Sequence, residues 1–144
     1  LRKARIHESW IPAFAGMTDP KNPLEMKMGK RVDEFNAFRA KMNERILAED
    51  NRVIKRVFSV DSLTYQDGAL SKKTKELLGL STSMVLRCDD CVSYHIGQCI
   101  ESGCTKEEIV EAMSVALVVG GTIVVPHMRR AMAFMDEMLE ETAS

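Results

Sequence analysis

Apolar residues at spacings of three and four, with no run alternating at every second position, constrain this chain more than any other feature. From Lys30 onward, Val32, Phe35, Phe38, Met42 and Ile46 recur at helical intervals with charges between them. A second helix is expected from Asn51 to Val60, with Val53, Ile54, Val57 and Phe58 inward. Tyr65-Gln66-Asp67-Gly68 reads as a turn. Ser71 is a natural N-cap for a third helix carrying Glu76, Leu77, Leu78, Leu80, Met84 and Val85. Asp89 and Asp90 suit the first turn of a fourth helix, where carboxylates meet the positive end of the dipole, and Gly103 suits its stop. Thr105 with Glu108 three residues later forms a capping box, opening a fifth helix through about Val119. Gly120-Gly121 end it, and a last helix runs from near Val124 to Glu140 with Ala131, Met135 and Met138 inward. Val115–Val125 is rich in β-branched residues, but its place after a capping box argues for a buried helix. The expected fold is an all-α bundle of about six helices, with no internal repeat.

The 144 residues fit one domain, and 45% hydrophobic residues suffice for a core. Twenty basic and 21 acidic residues leave a net charge of -1, which gives no reason to invoke nucleic acid or an anionic membrane. The longest uncharged run, Ala112–Pro126, is shorter than the roughly 18–20 residues of a spanning helix. Residues 1–27 differ from the rest: Pro12, Pro20, Pro23 and Gly16 break any long helix. The stretch from Trp10 to Thr18 resembles peptides encoded by dispersed bacterial repeat DNA read in frame. The expectation is a non-functional extension over 1–27 and a working domain over 28–144. The competing view is an arm that anchors a neighbouring subunit through Trp10 and Phe14.

Chemistry concentrates in Arg87-Cys88-Asp89-Asp90-Cys91-Val92-Ser93-Tyr94-His95. Residues three, four and seven apart share a helical face, so Cys88, Cys91 and His95 would line one stripe. A thiol reacts as thiolate. The helix N-terminus favours an anion at Cys88, whereas His95 could exchange a proton at Cys91. The residues alone do not choose between the sulfurs, and Asp89 and Asp90 oppose both. All four cysteines lie within Cys88–Cys104, which fits a reducing, cytoplasmic setting better than a secreted disulfide scaffold. A metal site is the alternative for Cys88, Cys91 and His95, but a tetrahedron is hard to close from one helical face. Cys99 and Cys104 read as packing residues. Glu76, on spacing alone, reads as one more solvated charge beside Lys72, Lys73 and Lys75. His127 would reach the site if the last helix packs on the cysteine helix, and otherwise reads as a partly buried or interfacial histidine. Tyr94 reads as core or pocket lining. Met128, Met132, Met135 and Met138 read as core or subunit interface.

Residues from about Ser71 to Met135 resemble the carboxymuconolactone decarboxylase superfamily, and within it the AhpD-like alkylhydroperoxidase branch. Glu76, eleven residues, Cys88-x-x-Cys91, three residues and His95 fill that branch's pattern. Glu101–Glu111 and Gly120-Gly121 resemble its helix–turn–helix continuation. The resemblance implies a compact all-α fold assembling as trimers or hexamers. It also implies a Cys88–Cys91 pair that reduces peroxides and cycles through a disulfide, with Glu76 and His95 as proton relay. The implied partners are a peroxide and a dithiol protein or small-thiol reductant, and no metal, flavin or haem is needed. One departure stands out: Asp90 occupies a position between the cysteines where AhpD-type enzymes carry histidine. The competing readings are a decarboxylase-type lyase using His95 and Glu76 as acid and base, and a non-enzymatic helical oligomer that senses oxidation.

Overall fold

The structure is a computed structural model that describes residues 30–142. The segment 1–27, with its expected role, lies outside the described residues. The order is α1 (Lys30–Leu47), α2 (Arg52–Thr64), α3 (Lys72–Val85), α4 (Asp89–Glu101), α5 (Lys106–Gly120) and α6 (Val125–Thr142), with one 3-10 turn, Thr122–Val124, before α6. Among the described residues there is no strand. No helix there is long and apolar enough to cross a membrane.

The caps lie where short-range chemistry puts them. Asn51 accepts from the backbone N–H groups of Val53 and Ile54, and Ser71 from that of Thr74. The Thr105/Glu108 capping box is complete. Gly103 takes φ 78° after α4, a left-handed backbone that glycine adopts without a Cβ penalty. There the N–H of Cys104 bonds Cys99 O and that of Gly103 bonds Ile100 O, satisfying carbonyls that a helix end would leave open.

The core is built by α3, α4, α5 and α6. Leu80, Met84, Ile96, Cys99, Ile109, Met113, Val124 and Met135 are fully enclosed. α3 packs on both α4 and α5, and α6 closes over α4. α1 joins through Val32, which is fully buried, and through Phe35, whose ring meets Phe134 edge-on at 5.5 Å.

The expected inward faces need correction at three places. Phe38 is exposed on α1, and Val53 and Val57 are exposed on α2. No residue of α2 is fully buried, because that helix touches the bundle through one narrow stripe, with Ile54, Phe58 and Ser62 half-covered. Val115–Val119 is helical as expected but is not a buried helix. Ala116 is enclosed while Val115, Val118 and Val119 face outward, since only one side of α5 meets α3. Leu80 has no exposed surface and touches the centre of this arrangement. Leu80→Ala is expected to cost about 3 kcal/mol of unfolding free energy, read as a lower urea midpoint at unchanged slope.

Candidate active site

The α3–α4 junction sets the cysteine pair. α3 ends at Leu86; the N–H of Arg87 then bonds Met84 O and that of Cys88 bonds Ser83 O. This closing pattern requires a left-handed residue, and Arg87, not a glycine, supplies it at φ 60°. A side chain held there costs of order 1 kcal/mol. Cys88 is thus the final hydrogen-bonded residue of one helix end and the N-cap of the next. Its Sγ accepts from Cys91 N–H at 3.3 Å, and its carbonyl accepts from Val92 N–H. Cys88 and Cys91 are joined as a disulfide with their Cα atoms 5.3 Å apart. Cys88 is half-buried and Cys91 exposed, so solvent reaches the pair from outside the bundle.

One turn after Cys91, His95 turns into the protein. Its Nδ1 lies 2.8 Å from Glu76 Oε2 on α3. Glu76 is fully buried and His95 nearly so. The carboxylate is therefore not one more solvated charge: it faces α4, on the side of α3 opposite the solvent. A carboxylate accepts, so Nδ1 carries a proton, and Nε2 is the ring nitrogen turned away from Glu76. Nε2 stands 3.5 Å from the Tyr65 hydroxyl, a contact too long for a strong hydrogen bond. Among the described residues Glu76 Oε1 has no hydrogen-bond partner, although it is buried. Such an oxygen gains from any proton brought to it.

Tyr65 is the residue that reading the sequence missed. It follows α2 as its C-cap, 30 positions from His95, and was legible only as the start of a turn. Burial, and after it the Glu76 charge, hold its hydroxyl above the usual tyrosine range. Gly79 makes the contact possible. A Cβ there would stand 2.5 Å from His95 Cε1 and 2.7 Å from the Tyr65 hydroxyl, closer than side chains tolerate. Thr64, Tyr65, Lys75, Leu78, Gly79 and Thr82 line a shallow cleft of about 220 Å³ on the outer face of this contact.

The remaining candidates separate by place. Tyr94 is half-buried beside His95, with ring centres 5.2 Å apart, and the Arg39 guanidinium lies 4.1 Å over its ring. Burial raises its hydroxyl as well. His127 does come to the cysteine helix, where its Nδ1 meets Asp89 Oδ1 at 2.7 Å. Asp90 is exposed. Met135 is core, while Met128, Met132 and Met138 pack against it. Among the described residues, no group of three or more His, Cys, Asp or Glu converges as metal ligands would.

Cys99 and Cys104 are buried free thiols. Desolvation, then the neighbouring Cys104 sulfur, pushes the Cys99 thiol far above the ordinary cysteine range. Burial raises Cys104 too, partly offset by its contact with Cys99.

Residues 52–136, more than half of the chain, match the sequence profile described as "Carboxymuconolactone decarboxylase family". A protein of the Paracoccus denitrificans cox locus, itself uncharacterised, is 31% identical over 80 residues, covering 56% of this chain and 72% of its own. An uncharacterised Cupriavidus necator protein is 30% identical over 73 residues, covering 51% of this chain and 65% of its own. Among solved structures, a Thermotoga maritima protein superposes with TM-score 0.73 at 49% identity, covering 75% of this chain and 95% of that one. A second crystal structure from that organism, at 48% identity and TM-score 0.71 over 74% of this chain and 91% of its own, is described as a carboxymuconolactone decarboxylase family protein with a suggested part in antioxidative response. An apo structure from Legionella pneumophila shares the fold at 22% identity, with TM-score 0.70 over 76% of this chain and 97% of its own.

The thiols sort by burial into two classes. After mild reduction, iodoacetamide at pH 7 is expected to label Cys88 and Cys91 in the folded chain. Cys99 and Cys104 should stay unlabelled until denaturant is added, as read by peptide mass.

Proposed function

The chain belongs to the carboxymuconolactone decarboxylase family, and on that premise we propose that it is an AhpD-like thiol peroxidase. In this reading Cys88 and Cys91 are the redox pair, with Glu76 and His95 as their proton relay. The observation that carries it is the buried Glu76–His95 pair set one turn from a solvent-reached cysteine pair. The relatedness to a Thermotoga maritima protein described in antioxidative terms supports the same reading.

The chemistry balances with a peroxide and a dithiol. One sulfur, as thiolate, attacks the outer peroxide oxygen; the O–O bond breaks and a sulfenic acid forms. The leaving alkoxide takes a proton and departs as an alcohol. The second thiol attacks the sulfenic sulfur, releasing water and forming the Cys88–Cys91 bond. A dithiol reductant then returns two electrons and two protons by exchange. His95 Nε2 takes the thiol proton and gives it to the alkoxide. Glu76, bonded to Nδ1, compensates the charge that the ring carries in between. Tyr65, 3.5 Å from Nε2, lines the cleft beside this edge of the ring.

The test is consumption of an organic hydroperoxide with dithiothreitol supplied. Cys91→Ser should lower turnover by at least about 100-fold, and Glu76→Gln, which keeps the shape but removes the charge, by about 100-fold. Full turnover in Cys91→Ser would defeat the peroxidase reading. Activity on a lactone acid that survives alkylation of both cysteines would favour the lyase instead.

The same reading includes self-assembly as a trimer or hexamer. Its support is the outward apolar surface on two helices: Val53, Val57 and Val60 on α2, and Val115, Val118 and Val119 on α5. Contiguous apolar surface of this kind is rarely left to water. Sedimentation equilibrium is expected to give a multiple of the 16.2 kDa chain mass, and Val118→Glu to lower it. An unchanged mass in both Val118→Glu and Val57→Glu would remove these faces from the interface.

A further inference from the structure

A second ionic cluster adjoins the disulfide, and the peroxide scheme does not use it. Asp89, the first residue of α4 and the neighbour of Cys88, is held from α6 on both oxygens. His127 Nδ1 lies 2.7 Å from Oδ1 and Arg130 Nε lies 2.8 Å from Oδ2. Arg130 Nη2 comes within 3.3 Å of His127 Nδ1. A carboxylate has no proton to give, so the 2.7 Å contact places the proton on His127 Nδ1. Arg130 Nη2 therefore packs beside that nitrogen without donating to it. The His127 side chain is 16% exposed and that of Asp89 41%, so the pairing sits at the edge of the solvent, not free in it.

The cluster matters because of what Asp89 would otherwise do. A Cys88 thiolate would keep its hydrogen bond from Cys91 N–H and the favourable field of the α4 N-terminus. An unpaired carboxylate on the next residue opposes it. The charged and titratable groups around this turn are Asp89 and Asp90 upon it, Arg87 before it, His127 and Arg130 from α6, and the Glu76–His95 pair from the α3 side. Asp89 is the acid on the residue that follows Cys88 in the chain, and Arg130 is the cation paired with it.

We propose that Arg130, with His127, is a positioning residue for Cys88: by pairing with Asp89 it offsets the charge beside the sulfur and makes the Cys88–Cys91 bond easier to reduce. The inference rests on the reading that this pair cycles. In the exchange, a reductant thiolate attacks one sulfur of the bond and the other leaves as thiolate. The reductant's second thiol then closes its own disulfide, so two electrons and two protons pass to Cys88 and Cys91. Whatever stabilises the departed thiolate raises the potential of the couple, as a stabilised reduced form does in strongly oxidising dithiol proteins.

The experiment equilibrates the full chain in dithiothreitol redox buffers at pH 7 and counts free thiols by alkylation and mass. Arg130→Met leaves Asp89 uncompensated. It should shift the equilibrium about fivefold toward the disulfide, roughly 20 mV more negative. Asp89→Asn removes the acid and leaves the Arg130 cation, and should shift it by a similar factor toward the dithiol. Arg130→Lys should stay within about twofold of the parent. Both Arg130→Met and Asp89→Asn loosen the same α4–α6 contact. A purely structural clamp would therefore move the couple in one direction in both, or not at all, and either result overturns the proposal. A parent chain with no reversible Cys88–Cys91 couple would sink the peroxidase reading and this inference together. A couple whose two variants fail to split in sign sinks this inference alone.

Discussion

A buried carboxylate bonded to a buried imidazole is the contact that the rest of this arrangement serves. Glu76 has no exposed surface, and among the described residues the one hydrogen bond of its carboxylate is to His95 at 2.8 Å. Enclosing a carboxylate is expensive, and removing His95 would leave it uncompensated, at a cost of about 3–5 kcal/mol. Apolar residues of similar volume would pack this α3–α4 contact at no such cost. The neighbours accommodate the pair. Gly79 has no Cβ because the ring lies where one would be, and Tyr65 closes the ring's other edge. Leu80 and Met84 on α3, with Ile96 and Cys99 on α4, exclude water around it. The apolar core thus fixes the distance between two helices, and that distance decides whether a carboxylate meets an imidazole.

Local chemistry is what the sequence displays, and the helices are legible for that reason. Ser71, Gly103 and the Thr105/Glu108 box each act within four residues, so spacing alone identifies them. The candidate residues Glu76, Cys88, Cys91 and His95 were legible too, the cysteines and His95 by their spacing on one helix. Glu76 was legible only through resemblance to a family, since a lysine-rich neighbourhood hides a buried acid. Tyr65 was not legible, and His127 was legible only as an approach conditional on α6 packing against α4, because these contacts join positions 30 and 38 residues apart and depend on how helices cross. Val53, Val57, Phe38 and Val118 mislead for a different reason. Apolar periodicity reports that a face avoids water, and it is silent on whether the same chain covers that face.

The cysteine pair combines tight backbone constraint with access. Arg87 takes a left-handed conformation that glycine would take more cheaply, and Cys88 is bonded through its N–H to Ser83 and through its carbonyl to Val92. Its sulfur is bonded in turn to the Cys91 N–H. The backbone bonds of Cys88 do not depend on the S–S link, so its Cα keeps its place at the start of α4 when the disulfide opens. Cys91 lies in the first turn of α4, exposed and one turn from the imidazole. The two sulfurs therefore differ in their surroundings: a backbone amide and the helix dipole for Cys88, exposure and a place one helical turn before His95 for Cys91.

That asymmetry bears on Asp90. A histidine between the cysteines would add a donor or a cation there, whereas a carboxylate adds charge of the wrong sign for a thiolate. Asp89 doubles the problem, and both lie in the turn that caps the sulfur. Yet the macrodipole rewards acids at this position, so they stabilise α4 while burdening its thiol. Helix stability and sulfur reactivity make opposite demands on the same turn. The Arg130 cation on α6, bonded to one of the two acids, reconciles them: the carboxylate stays at the helix start, and its field at the sulfur is reduced. Because the compensating charge comes from α6, packing of α6 on α4 carries an electrostatic consequence for the cysteines as well as an apolar one.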